Sequence, residues 1–267
     1  MKDILKAKEI FLLDEIEDNL HFDSIAFEVA KNELIDAIKA KENPMIFLVG
    51  DPGCGKSYLL RYLQKKEKDL NIVKYFTYPF FDEKEFLEIL FSLIDKNEQK
   101  RLNIEEITLH LKKKFNNLEH VIIIDEAQHL TEELVELIRI LSDQGIFQFV
   151  LSLHKKEAEY VLSKPQYKTR NPKKVMLDYL NDEEVLRYIQ NMLLNHNLSH
   201  FAINFKKSYI KMIREYTNKN FRAIKKFLAT LFSILLEANK RNLNKYSKIN
   251  KHTIIMSAID TGMIDVK

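Results

Sequence analysis

Five consecutive apolar residues, Met45-Ile46-Phe47-Leu48-Val49, run directly into Gly50-Asp51-Pro52-Gly53-Cys54-Gly55-Lys56-Ser57. Helix-forming residues follow to about Asp69, with apolar positions at Leu59, Leu60 and Leu63. A buried strand that turns through a tight loop straight into a helix is a severe constraint on a fold. Composition sharpens it: the chain has five glycines, and three of them stand at 50, 53 and 55. The octapeptide fits G-x-x-x-x-G-K-[ST] at every fixed position. Such a loop turns its backbone N–H groups inward around an anion, and glycine permits the positive φ angles and close approach involved. The dipole of the following helix adds positive potential beneath that anion. The spacing therefore predicts a nucleotide phosphate site formed by Gly50, Asp51, Pro52, Gly53, Cys54, Gly55, Lys56, Ser57 and Tyr58. Lys56 would reach the β- and γ-phosphates, and the Ser57 hydroxyl would ligate Mg²⁺.

The 267 residues suffice for one large or two smaller domains. With 42 basic and 39 acidic residues the chain is near neutral, and its lysine pairs are scattered, which favours solvated helix faces over a single nucleic-acid stripe. One cysteine excludes an internal disulfide and fits a reducing compartment. Ile10–Leu13 is too short for the core of a signal peptide, and Phe227–Leu236 is about half the ~20 residues needed to span a bilayer. A cytoplasmic location is expected, with no direct membrane insertion.

To about residue 178, strand and helix signals alternate. Strands are predicted at Met45–Val49, Ile72–Thr77, Val121–Ile124, Phe147–Leu153 and Lys174–Leu177. Helices are predicted at Ser57–Asp69, Glu83–Ile94, Glu105–Asn116, Glu132–Asp143 and Lys155–Ser163, with another at Ile25–Ala40. The β-branched run at 121–124 suits a parallel strand buried on both faces. This alternation argues for a doubly wound α/β domain. Beyond 178 the strand signal fades. Asn181 reads as a helix cap, and helices are expected at Lys206–Thr217, Phe221–Lys240 and His252–Thr261. The expected division is a nucleotide-binding domain over 1–178 and a helical domain over 179–267.

Val121-Ile122-Ile123-Ile124-Asp125-Glu126 places two carboxylates at the end of the most apolar strand. Coming about 70 residues after the glycine loop, they complete a phosphate-loop NTPase. Asp125 would hold Mg²⁺, and Glu126 would polarise the attacking water. Asp125-Glu126-Ala127-Gln128 also echoes helicase signatures, but the remaining residues are too few and too helical for a second nucleotide-binding lobe. His196 and His200 stand four apart, yet no third ligand is near them in sequence, so metal binding there is not expected.

These two motifs resemble those of AAA+ ATPases. More narrowly, nearly the whole chain resembles the ATPase region of general secretion pathway protein A (the ExeA type), related to the transposition ATPase TniB. Val175 to Glu184, continuing to Tyr188-Ile189, is similar to that family's passage into its helical lid. Tyr216-Thr217-Asn218-Lys219-Asn220-Phe221-Arg222-Ala223-Ile224 is similar to its second sensor, with Asn218 to Phe221 standing where glycines and proline are commoner. The tail from Ile249 to Ile259 is similar to the closing helix.

The resemblance implies a P-loop AAA+ parallel sheet sandwiched by helices, followed by a C-terminal helical lid. It implies ATP and Mg²⁺ as ligands, with Arg222 as the second-sensor arginine. A cation so near a helix start is otherwise dipole-unfavourable, and the competing reading is a surface arginine. His154 takes the position of the first sensor, with Ser152 as the alternative. Arg170 aligns with a residue that in AAA+ assemblies serves a neighbour's nucleotide as an arginine finger, which implies a homo-oligomer; a salt bridge within the subunit explains it equally. Three readings of function follow. The first is a cytoplasmic ATPase serving a type II secretion, type IV pilus or DNA-uptake machine through a membrane-associated protein partner. The second is a DNA-linked regulator of the transposition type. The third is a nucleotide-gated scaffold with little turnover.

Overall fold

The structure, a computed structural model, describes residues 1–12, 24–78, 82–93, 104–163 and 172–265. They group into two compact units, one of Phe27–Asp51 and Lys56–Leu177, the other of Met1–Ala26, Pro52–Gly55 and Asp178–Lys267.

The first unit is built on five parallel strands, β1 (Met45–Val49), β2 (Ile72–Phe76), β3 (Val121–Ile124), β4 (Gln148–Leu153) and β5 (Lys173–Met176), in the order β2-β3-β4-β1-β5. Every residue of β1, β3 and β4 is buried, which is why β1 and β3 read as unbroken apolar runs rather than alternating ones, while β4 also buries Gln148 and Ser152. The outer strands differ. β2 slips register between Ile72 and Lys74 and is half-exposed over most of its length. β5 has four residues and opens with Lys173 and Lys174. Helices α2 (Ile25–Ala40), α3 (Lys56–Lys66), α4 (Glu83–Ser92), α5 (Ile104–Lys114), α6 (Glu132–Asp143) and α7 (Lys155–Ser163) accompany the strands. Phe47, Phe86, Leu90, Ile122, Leu134, Phe147 and Phe149 lie in one core between sheet and helices. Asp82 caps α4 by accepting from the Glu85 N–H at 2.8 Å, and Thr131 caps α6 by accepting from the Leu134 N–H at 3.3 Å. The parallel α/β architecture expected from the alternating pattern is therefore the one observed.

The second unit is helical. It contains α1 (Lys2–Leu12), α8 (Asp182–Asn195), a four-residue α9 (Ser199–Ala202), α10 (Lys207–Tyr216), α11 (Phe221–Lys240) and α12 (Lys251–Asp260). α8 opens with a full capping box, in which Asn181 and Glu184 bond each other's backbone N–H groups. The long helix α11 buries a stripe from Ile224 through Phe227, Leu231 and Leu235 to Ala238. α1 lies against it, with the Phe11 ring stacked on Phe232 at 5.9 Å and edge-on to Tyr188 at 6.4 Å. The helical unit thus draws on both ends of the chain.

Candidate nucleotide site

The register of the sheet sets the first layer of the site. β1 pairs with β4 so that Val49 faces Leu153, and β3 pairs with β4 so that Ile124 faces Leu151. The residues that follow these strands, Gly50, Asp125 and His154, consequently emerge along one edge. The Gly50 N–H donates to the Leu153 carbonyl at 3.2 Å, and the Asp125 N–H to that of Phe76 at 2.9 Å. Ligands of open α/β sheets sit outside this carboxyl edge of the strands.

At the start of α3, Lys56 is buried to 5% exposure. Its ammonium donates to the Gly50 carbonyl at 2.8 Å and the Asp51 carbonyl at 3.2 Å, both neutral. An ammonium held away from water with no carboxylate partner among the described residues is arranged for an incoming anion. Ser57 and Tyr58 follow on the same turn. Tyr58 packs its ring on Phe27 at 5.5 Å, and burial, then the neighbouring Tyr62, raises its phenol above the ordinary 10. The Asp51 carboxylate pairs with Lys155 at 3.3 Å.

Asp125 is buried to 3% exposure and forms a network of its own. Ser152, fully buried on β4, donates its hydroxyl to Asp125 Oδ1, and Tyr75 on β2 donates to Oδ2 at 3.2 Å. Burial, reinforced by the Asp125 charge, pushes the Tyr75 phenol well above its ordinary 10, so it remains a donor. The next residue, Glu126, has φ 53°, a left-handed backbone that a non-glycine residue rarely takes. Its N–H donates to Asp125 Oδ1 and to Ser152 Oγ, each at 3.0 Å. Its carboxylate accepts from the Gln128 amide and lies 3.4 Å from His154 Nε2. Tyr75 is not legible as a site residue in the sequence, because a tyrosine in a strand carries no spacing signature, and Gln128 stands in the Asp125-Glu126-Ala127-Gln128 string without its bond to Glu126 being readable there. Of the two residues weighed for the first-sensor position, Ser152 touches Asp125 and His154 neighbours Glu126.

Ser152 should matter for both stability and chemistry. Ser152→Ala leaves a buried carboxylate oxygen and the Glu126 N–H without their hydroxyl partner, at a cost of about 1–3 kcal/mol. Urea unfolding should register that loss, and an unchanged midpoint would show that the hydroxyl is dispensable.

The middle of the glycine loop groups with the helical unit. Gly53 and Gly55 have φ of 74° and 111°. Asn220, the cap of α11, donates its amide to the Pro52 carbonyl at 2.9 Å, and Tyr179 donates its hydroxyl to the same oxygen at 3.2 Å. The Phe221 N–H donates to the Gly53 carbonyl at 3.0 Å. Cys54 is buried and free of disulfide. Arg222, the second residue of α11, is exposed and has no carboxylate within ion-pair distance among the described residues. Arg170 falls outside the described residues.

The donor set of the sheet unit fits a magnesium nucleotide: a buried lysine with neutral partners, a hydroxyl beside it, and a buried carboxylate at the end of β3, on the same edge and separated from β1 by β4.

Residues 38–162 match a protein family described as "AAA domain". No curated protein matches the chain. Among solved structures, domain III of the Thermotoga maritima replication initiation protein DnaA aligns over 90% of this chain and 94% of its own, with 18% identity and a TM-score of 0.50. The Thermotoga maritima RuvB Holliday junction branch migration motor aligns over 96% of this chain and 76% of its own, at 15% identity and a TM-score of 0.55. Drosophila ORC bound to DNA aligns over 78% and 62%, at 16% and 0.50. Residues 38–162 are thus similar to the AAA domain, and the chain has the AAA P-loop NTPase fold.

Proposed function

We propose that this chain binds ATP with Mg²⁺ and hydrolyses it at the γ-phosphate. The observation that carries the reading is the pairing, at one sheet edge, of a buried Lys56 bonded only to neutral carbonyls with the Ser152–Asp125–Glu126 network. Lys56 stabilises charge that builds on the phosphates, and Ser57 and Asp125 hold the ion. Mg²⁺, when bound, neutralises phosphate charge and orients the triphosphate. Glu126 orients the attacking water. Its carboxylate is held by Gln128 and His154, which bears on the first-sensor assignment to His154. Arg222 and Arg170 are proposed as further cations for the transition state, the latter across a homo-oligomer interface.

Glu126→Gln should retain ATP affinity and lower turnover by about 10²–10⁴-fold, the usual reach of a positioned general base. A variant that hydrolyses ATP like wild type would remove Glu126 from the mechanism.

For the biological setting, the sequence resemblance supports an ATPase serving a type II secretion, type IV pilus or DNA-uptake machine through a membrane-associated partner. A DNA-linked role has its own support, since the similar folds include a protein bound to DNA and a branch migration motor. Turnover measured across a titration of duplex DNA, with Glu126→Gln as the blank, separates the two. A rate that climbs with DNA favours the DNA-linked role. A DNA-indifferent rate above the blank favours the envelope machine, and no rate above the blank favours a nucleotide-gated scaffold.

A further inference from the structure

The basic residues are spread along this chain, but their counter-charges are not. Residues 178–267 hold 15 Lys and Arg against 8 Asp and Glu, whereas residues 1–177 hold 27 against 31. From Tyr216 to Ile259 there are nine Lys and Arg and a single carboxylate, Glu237. Ordinary surface electrostatics accounts for part of this. Lys240 pairs with Glu237 at 2.8 Å and Arg241 approaches it at 4.0 Å, and both stand at the C-terminal end of α11, where the dipole favours cations.

It does not account for Lys245, Lys248 and Lys251. All three are exposed, and none has a carboxylate partner among the described residues. Lys251 and His252 occupy the first turn of α12, which lacks an acid and where the dipole disfavours cations. The backbone that carries Lys245 and Lys248 is tied by side-chain hydrogen bonds to the start of α12, where Lys251 stands. The Asn250 side-chain amide donates to the Lys245 carbonyl at 3.0 Å and the Lys248 carbonyl at 3.1 Å. Its oxygen accepts from the N–H groups of His252 and Thr253, at 2.9 and 3.1 Å. The Thr253 hydroxyl donates to the Lys248 carbonyl at 3.2 Å, and the Lys245 ammonium lies 5.6 Å from the Tyr246 ring. Asn242, Asn244, Tyr246 and Ser247 are interleaved with the cations.

We propose that the turn from Lys240 to His252 is a binding surface for the phosphate backbone of duplex DNA. Lysine and arginine joined by Asn, Ser and Tyr donors is the chemistry of phosphate contacts, which orient a protein on a duplex without reading its sequence. Holding the backbone that carries the cations lowers the ordering cost of binding. An anionic membrane would ask for an apolar face beside the charges, and Leu243 is the only large apolar side chain exposed between residues 240 and 252. This surface goes beyond ATP hydrolysis and is read without nucleotide, so its failure leaves the ATPase reading intact.

The test is fluorescence anisotropy of a labelled duplex of about 30 base pairs, titrated with the full chain at several salt concentrations. The triple change Lys245→Glu, Lys248→Glu, Lys251→Glu should weaken binding at least about 10-fold at low salt and flatten the log–log salt slope by about 3, near one for each phosphate no longer neutralised. The milder triple change to Gln, which keeps side-chain length, should move both readouts the same way by a smaller amount. Lys65→Glu, Lys112→Glu, Lys113→Glu imposes the same net charge change on exposed lysines elsewhere and should leave the slope unchanged. Three results would overturn the proposal. One is wild-type binding by both triple variants, and another is an equal loss in the control. The third is a dependence on these lysines seen only with vesicles containing anionic lipid.

Discussion

Lys56→Met should lower ATP turnover by at least about 10²–10³-fold, the loss seen when one preorganised group that stabilises developing charge is removed. It should also abolish the rise in melting temperature that ATP gives wild type by binding the native state alone. The apoprotein itself should melt within a few degrees of wild type, or above it. Lys56 is a buried ammonium whose partners are the neutral carbonyls of Gly50 and Asp51, so its desolvation is not repaid by an opposite charge. Methionine of similar length fills the space without that cost, set against two carbonyls losing a donor. Differential scanning fluorimetry with and without Mg²⁺-ATP measures both quantities. A collapse of the apoprotein would identify Lys56 as a structural cation and undercut its assignment to phosphate.

The second large effect is expected at Gly53. Its φ of 74° costs an alanine about 1–2 kcal/mol. A Cβ there would also fall on the Asn220 side-chain amide, far inside van der Waals distance. That amide cannot swing away freely, because it donates to Pro52 and accepts from the Ala223 N–H as the cap of α11. Gly53→Ala should therefore cost about 2–4 kcal/mol once a lost cap is added to the backbone strain. It should weaken ATP binding at least about 10-fold through the displaced loop. Pairing it with Asn220→Gly, which removes the obstructing side chain while keeping a tolerated cap residue, should recover part of the stability. A double variant no more stable than the sum of the single changes would show that Asn220 and Gly53 are not coupled.

Much of this architecture is legible in the sequence because its signals are local. The apolar runs at 45–49 and 121–124 are buried on both faces, and they form strands with the expected bounds. Thr131 and Asn181 cap the helices that their positions announce. α1 is not legible: its 11 residues mix charged and apolar positions, and only packing on α11 makes Ile4, Ala7, Ile10 and Phe11 a buried face. The same holds at the site. The glycine loop and the Asp125-Glu126 pair are contiguous and carry spacing. Tyr75 and the hydrogen bonds of Asn220 and Tyr179 to Pro52 depend on the folded chain and join residues far apart in sequence, which no spacing rule reaches. The charge pattern is deceptive for a related reason. Lysine pairs are conspicuous, whereas the missing acids between Tyr216 and Ile259 are seen only when both signs are counted over one unit.

The borders of the sheet bear on how copies of this chain can join. A flat, regular border strand invites another chain to add its own strand by backbone pairing. Here one border slips register at Ile72 and Lys74, and the other is four residues long with two lysines at its start. Both features discourage strand addition. Self-association would then fall to helices and loops, whose side-chain contacts can be made and broken without disturbing the hydrogen-bonded ladder that holds Gly50, Asp125 and His154 in line.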